Sequence, residues 1–181
     1  MDSVTRSYFE NLEAKDKNVQ YEAFYTIIAV IKEEVDWAYE VWDQLKEWLT
    51  DNDNHRRSRA AQFLAGLAKS DPEKRLLNDF SVLWEVTKDP KFVTARHSLQ
   101  SIWQVGLAGE KQKELLLNHL VDRCQNGMHE KHYTLIRFDM IQGLKNLYDA
   151  LKEEEIKQLA LDLIETEEDI HYRKKYMTVW K

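Results

Sequence analysis

The stretch "CQNGMHEKH" gathers Cys124, His129 and His132, with His119 one turn earlier. Imidazole nitrogens and a thiolate are ligands for zinc, and two histidines three residues apart share a metal when they lie on one helix face. Gly127 interrupts the stretch as a helix end would, and no second cluster completes four ligands, so it reads as a solvated loop with no metal. Cys124 falls on the apolar stripe of its segment and reads as a small buried thiol rather than a nucleophile. A G-x-S-x-G elbow and a glycine-rich phosphate loop are both missing. The paired carboxylates of "KEEEIK" and "ETEED" suit solvated helix faces and first-turn acids that complement the helix dipole. No catalytic residue and no cofactor are expected from these motifs.

A second concentration of chemistry is "DNDNHRRSRAAQFLAGLAK", residues 51–69. Three arginines and a histidine fall within five residues, just before an Ala/Leu-rich run, in a chain of net charge −6. Guanidinium groups in that position either meet phosphate or bond to acids in neighbouring turns. The choice depends on the elements that carry them.

Composition bounds those elements. Of 181 residues 43% are apolar and 32% charged, which suits one globular domain spanning residues 1–181. Two prolines and five glycines are too few for the turns of an all-β fold, so long helices joined by short polar loops are expected. A single cysteine allows no intramolecular disulfide. The N-terminal "MDSVTRSYFENLEAK" lacks a signal-peptide pattern, and the longest apolar stretch, "FYTIIAVI", is far short of the roughly 20 residues that span a bilayer. A cytoplasmic protein without membrane contact is expected. The acidic balance disfavours nonspecific binding to nucleic acid, though not a local basic patch.

Apolar residues recur at helical spacing, and the pattern itself repeats. Ala60, Ala61, Leu64 and Leu67 occupy offsets 0, 1, 4 and 7. The same offsets hold Ala23, Phe24, Ile27 and Val30, then Ser98, Leu99, Ile102 and Val105, then Met140, Ile141, Leu144 and Leu147. Tyr176, Met177 and Trp180 begin the pattern once more. Successive units are 37, 38, 42 and 36 residues apart, a period near 40 that indicates stacked helix pairs. These segments form the B helices. Between them lie A helices with stripes such as Trp37, Val41, Leu45 and Trp48, or Leu76, Phe80, Leu83 and Trp84. Asp71-Pro72 and Asp89-Pro90 read as an N-cap followed by a proline in the first helical position. Gly106 and Gly127 stand where helices should end.

Period, paired amphipathic helices, and a turn acid followed six to eight residues later by a basic residue together resemble HEAT repeats. The likeness is carried best by "DNDNHRRSRAAQFLAGL", "DPKFVTARHSLQSIWQVG" and "EKHYTLIRFDMIQGLKNL". The first unit departs from it, with Glu22 where later units carry a basic or polar residue. The resemblance implies an all-α, right-handed α-α superhelix: a HEAT-like solenoid of about ten helices in five antiparallel pairs. It also implies an internal ladder pairing Asp53 with Arg59, Asp89 with Arg96, Glu130 with Arg137, and Glu167 with Arg173.

The ladder needs about one arginine per repeat, whereas the second unit has three. Windows around the B helices hold fourteen Lys or Arg against three Asp or Glu, a net +11, so the rest of the chain carries −17. In a solenoid the B helices line the concave surface. Arg56, Arg59, Arg96, His97, Trp103, Arg137, Arg173 and Lys174 are therefore the candidate contacts for another protein or an acidic peptide, the arginines being divided between ladder and ligand. The expected role is a noncatalytic scaffold. The alternative is nucleic-acid binding or DNA glycosylase-like activity through a basic concave groove, since HEAT-like DNA glycosylases resemble this chain in architecture and set a carboxylate beside aromatic residues on such a groove. Asp139, near Tyr133 and Arg137, would be that carboxylate, though no tryptophan stands one turn away. The last unit has no following helix, so Tyr176, Met177 and Trp180 would form a cap or an apolar edge.

Overall fold

The computed structural model describes all 181 residues and is entirely helical. Ten α-helices follow one another: α1 Ser3–Asn11, α2 Lys17–Val30, α3 Ala38–Trp48, α4 Asn54–Leu67, α5 Leu76–Val86, α6 Phe92–Ser101, α7 Glu110–Asn126, α8 Tyr133–Leu151, α9 Glu154–Glu165 and α10 Ile170–Met177. Short 3₁₀ turns extend α4, α6 and α10. No helix is long and apolar enough to cross a membrane. The odd-numbered helices are the A helices and the even-numbered ones the B helices.

Local chemistry sets the starts of several helices. Asp2, Asp16, Asp53 and Asp169 hold extended backbone at the N-caps of α1, α2, α4 and α10, and each carboxylate accepts from a backbone N–H of the first turn. The two Asp-Pro pairs behave otherwise than the sequence suggests. α5 starts at Leu76, and Asp71 reaches it from a preceding turn, accepting from the N–H groups of Arg75 and Leu76 at 2.9 and 2.8 Å. α6 starts at Phe92, with Asp89 accepting from Lys91 N at 2.8 Å. Both prolines lie in turns ahead of the helix, because the aspartates close a loop before the backbone turns helical. Gly127 does cap α7, while Gly106 falls within the 3₁₀ turn Ile102–Leu107.

The stripes meet at the centre. Across the four complete B-helix patterns every residue is buried except Phe24 and Val30, which are half-buried. α2, α4, α6, α8 and α10 touch in succession, as do α3, α5, α7 and α9. Within the pairs, α1 lies on α2, α3 on α4, α5 on α6, α7 on α8 and α9 on α10. One apolar cluster of 38 buried residues runs from Leu12 to Tyr176, so no break in the core separates one part of the chain from another. The longer 42-residue step falls where α7 reaches 17 residues, against 11 for α5. Tyr176 is buried, while Met177 and Trp180 are half-buried, with Trp180 tilted against Tyr148 at 5.5 Å.

Two glycines permit close approach of neighbouring units. A Cβ on Gly66 would stand 2.7 Å from Ile31 Cδ1, and one on Gly106 would stand 2.8 Å from Leu147 Cδ1.

The A helices carry a buried polar tie in this apolar setting. Trp42, with no exposed surface, donates from Nε1 to Asp79 Oδ2 at 3.0 Å, linking α3 to α5, and Lys46 pairs with Oδ1 of the same carboxylate at 2.6 Å. Trp42→Phe removes that donor and leaves a void where the indole was. It should destabilise the fold by about 2 kcal/mol in urea unfolding followed by circular dichroism. An unchanged midpoint would show that the tie carries no load.

Candidate binding face on the even-numbered helices

The arginines that looked available for a ligand are bound within the protein. Arg57 makes a two-point contact with Asp89, Nε and Nη2 donating at 2.6 and 3.0 Å, and also donates to the carbonyls of Asp51 and Asn52. Arg96 on α6 grips Asp139 on α8 in the same way, at 2.7 and 2.9 Å, and Gln100 adds a third donor to that carboxylate at 3.1 Å. Arg123 on α7 joins Glu130 at 3.0 and 2.8 Å to both the hydroxyl and the carbonyl of Thr87. Charge-assisted two-point pairs of this kind fix orientation as well as contact. The bonded acids raise the pKa of Arg57 and Arg96 above the ordinary guanidinium value, so both stay charged.

The arginines thus clamp neighbouring repeats, but not with the partners expected from sequence. Arg59 donates to Leu12 O and Gln20 Oε1, both at 2.8 Å, rather than to Asp53. Arg96 takes Asp139 and not Asp89, which belongs to Arg57. Glu130 belongs to Arg123. Arg137 donates to Cys124 O at 3.3 Å, Thr166 Oγ1 at 2.6 Å, Tyr133 Oη and Leu163 O, while Glu167 is 3.9 Å away. Arg173 meets Glu167 through the backbone carbonyl, at 2.8 Å. The physical reason is helix direction. Asp53 lies at the end of its own helix and accepts from His55 N. An arginine further along projects sideways into the adjacent helix or turn, where it finds the acids and carbonyls of another unit.

This redistributes the eight expected contact residues. Arg137 is only 1% exposed and cannot touch a ligand. Arg59, Arg96, Trp103 and Arg173 are half-buried. Arg56 points elsewhere, pairing with Glu13 at 2.6 Å and Asp51 at 3.0 Å with its guanidinium over the Trp48 ring. His97 and Lys174 are exposed.

Asp139 is likewise unsuited to the glycosylase role. Its carboxylate is buried and receives three donors, so its lone pairs hold α6 against α8 instead of facing an open groove. Cys124 is buried, and loss of solvation pushes its thiol up to about 11, away from nucleophilic thiolate chemistry. The nearby histidines diverge: His132 lies over Phe92 at 4.3 Å, His119 stands edge-on to Phe80 and Trp84, and His129 is exposed. A cleft of about 570 Å³ opens between the turns at Thr87–Pro90 and Gly127–His132, lined by Trp84, Phe92, Arg123 and His132 among others.

What the B helices show to solvent is mostly uncharged. Tyr21 and Tyr25 on α2 are 61% and 66% exposed. Gln100 on α6 is exposed, Gln62 on α4 and Gln142 on α8 are half-buried, and Lys174 and Lys175 stand exposed on α10. The amides did not stand out from sequence because charge was the criterion. Aligning the repeats would have found them, since residues 62, 100 and 142 each lie two positions past the start of a stripe. No protein-family model and no curated protein matches the chain.

Arg137→Ala removes the side-chain donor to Cys124 O of α7, leaves Leu163 O of α9 with only the Thr166 hydroxyl, and should cost about 3 kcal/mol of stability in chemical denaturation. A loss too small to resolve would instead place Arg137 among dispensable contacts.

His97 offers a pH readout. Although the residue is exposed overall, its Nδ1 lies 3.2 Å from Ser58 Oγ, and partial desolvation of the ring together with the neighbouring Arg96 charge lowers its pKa below the ordinary 6.5. A lowered histidine favours the neutral form in the fold, so its contribution is intact above pH 6.5 and is lost as pH falls through the folded value. Wild type should therefore lose stability below pH 6.5 more steeply than His97→Gln. An NMR titration of the ring giving a pKa above 6.5 would contradict this.

Proposed function

We propose that the chain is a HEAT-like, right-handed α-solenoid that works as a noncatalytic scaffold, receiving another protein on the face of its even-numbered helices. The observation that carries this reading is the internal use of the B-helix arginines. Arg57, Arg59, Arg96, Arg137 and Arg173 bond to acids, carbonyls, a hydroxyl or an amide of the chain itself. The face that remains is built of aromatic rings and amides, with cations gathered at the α10 end. A phosphate backbone is held by many free cations. Protein surfaces are met by exposed aromatic groups and neutral hydrogen-bonding groups inside a charged rim.

The successive contacts of α2, α4, α6, α8 and α10 support the stacked arrangement. The period near 40 residues supports it independently. The buried carboxylate of Asp139, held by three donors, weighs against base excision.

The test has two arms. In fluorescence anisotropy at low salt, labelled single- and double-stranded DNA and RNA should show no saturable binding. A partner isolated from nuclease-treated lysate should cross-link to Tyr21, Tyr25 or Lys174, and Lys174→Glu/Lys175→Glu should weaken its binding about ten-fold with helical content unchanged. Tight, steeply salt-dependent binding of nucleic acid would reverse the reading.

A further inference from the structure

A partly exposed polar row on the B helices has a period of its own. Gln62, Gln100 and Gln142 occupy one repeat position on α4, α6 and α8, Tyr25 holds that position on α2, and Thr178 follows α10. Each glutamine nitrogen is anchored within the protein: Gln62 to Ser58 O at 3.2 Å, Gln100 to Asp139 Oδ1 at 3.1 Å, and Gln142 to Asn146 Oδ1 at 3.0 Å. None of the three Oε1 atoms accepts a bond within the chain; Gln100 is exposed, Gln62 and Gln142 are half-buried, and neither of their oxygens is sealed from solvent. The result is a line of oriented amides, each with a free acceptor.

Packed helices stand roughly 8–10 Å apart. A polyproline-II helix repeats about every 9 Å, three residues per turn, and leaves its own N–H and C=O groups unpaired. A flat β-strand turns the opposite side after three residues, whereas polyproline II returns the same side at each helix of the row. At one end of the row Tyr21 and Tyr25 expose two rings one helical turn apart, a surface on which proline rings stack. At the other end Lys174 forms no ion pair, and Lys175 is held only over the Phe138 ring, at 5.4 Å.

Resting on the scaffold reading above, we propose that this face binds a polyproline-II segment of a partner protein. Its prolines lie on Tyr21 and Tyr25, its backbone is met by Gln62, Gln100 and Gln142, and an acidic end lies over Lys174 and Lys175. The specificity is for a backbone conformation in the middle and for charge at one end.

The probes are fluorescein-labelled peptides of repeating Pro-Pro-X, X being a neutral polar residue, so that an N–H recurs every third residue, with a glutamate run at either terminus, together with their all-D mirror images. One of the two L-peptides should bind saturably and its D-form should not, since charge and composition are equal and only the screw sense differs. Gln62→Ala/Gln100→Ala/Gln142→Ala should weaken that binding about ten-fold. Tyr21→Ala/Tyr25→Ala, which touches only exposed positions, should do the same with an unchanged circular dichroism spectrum. Equal binding of L- and D-peptides, or full affinity in both variants, would overturn the proposal and leave charge attraction alone. If no peptide binds while an isolated partner still cross-links to the same face, the polyproline inference fails and the scaffold reading stands. If the isolated partner cross-links elsewhere, both fail.

Discussion

A pair of amphipathic helices this small cannot bury its own apolar stripe, and the rest of the structure follows from that constraint. Each stripe needs a neighbour with the same spacing, so the sequence repeats it at intervals near 40 residues and the B helices stack. Close approach then becomes a requirement in its own right. Gly66 and Gly106 stand where Ile31 and Leu147 leave no room for a side chain, which places the absence of a side chain among the features that set the distance between units.

Apolar stripes alone tolerate sliding. The arginines remove that freedom, because a planar guanidinium gripping a carboxylate at two points allows one orientation. Arg57 with Asp89, Arg96 with Asp139 and Arg123 with Glu130 and Thr87 each span different elements. Several of these acids are themselves largely buried, so the pairs are mutually dependent: removing one partner strands the other in a poorly solvated place. Of these clamps only Arg57 with Asp89 joins a B-helix cation to an acid outside the B helices, so they account for little of the sorting of charge between the two sets.

The helical architecture was legible in the sequence because periodicity reports burial directly. Ala60, Ala61, Leu64 and Leu67, and their counterparts in α6 and α8, are all buried. The caps were half legible: Asp53 caps α4, but Asp71 and Asp89 act from further back than an Asp-Pro pair implies. The clamp partners were not legible. Spacing along the chain says that an arginine follows a turn acid by six to eight residues, yet the bond runs to whatever the next unit places beside the helix, and that depends on helix direction and rotamer. Arg137 shows the consequence, since its spacing resembles that of a surface cation and its side chain is sealed between α7, α8 and α9.

The amides of the exposed face went unnoticed for a related reason: a neutral side chain leaves no mark on a charge count. Under the proposed reading their placement would tie recognition to stability. Gln100 is oriented by Asp139, and Asp139 is fixed by Arg96, so the middle of the row and the α6–α8 clamp share atoms. Loosening that clamp would let the Gln100 amide turn even if every apolar contact survived. A segment lying along the row would in turn favour the clamped register, because only there do the three amides stand in line. Binding and inter-repeat register are on this view two readings of the same hydrogen bonds, and a partner that selects one should stiffen the other.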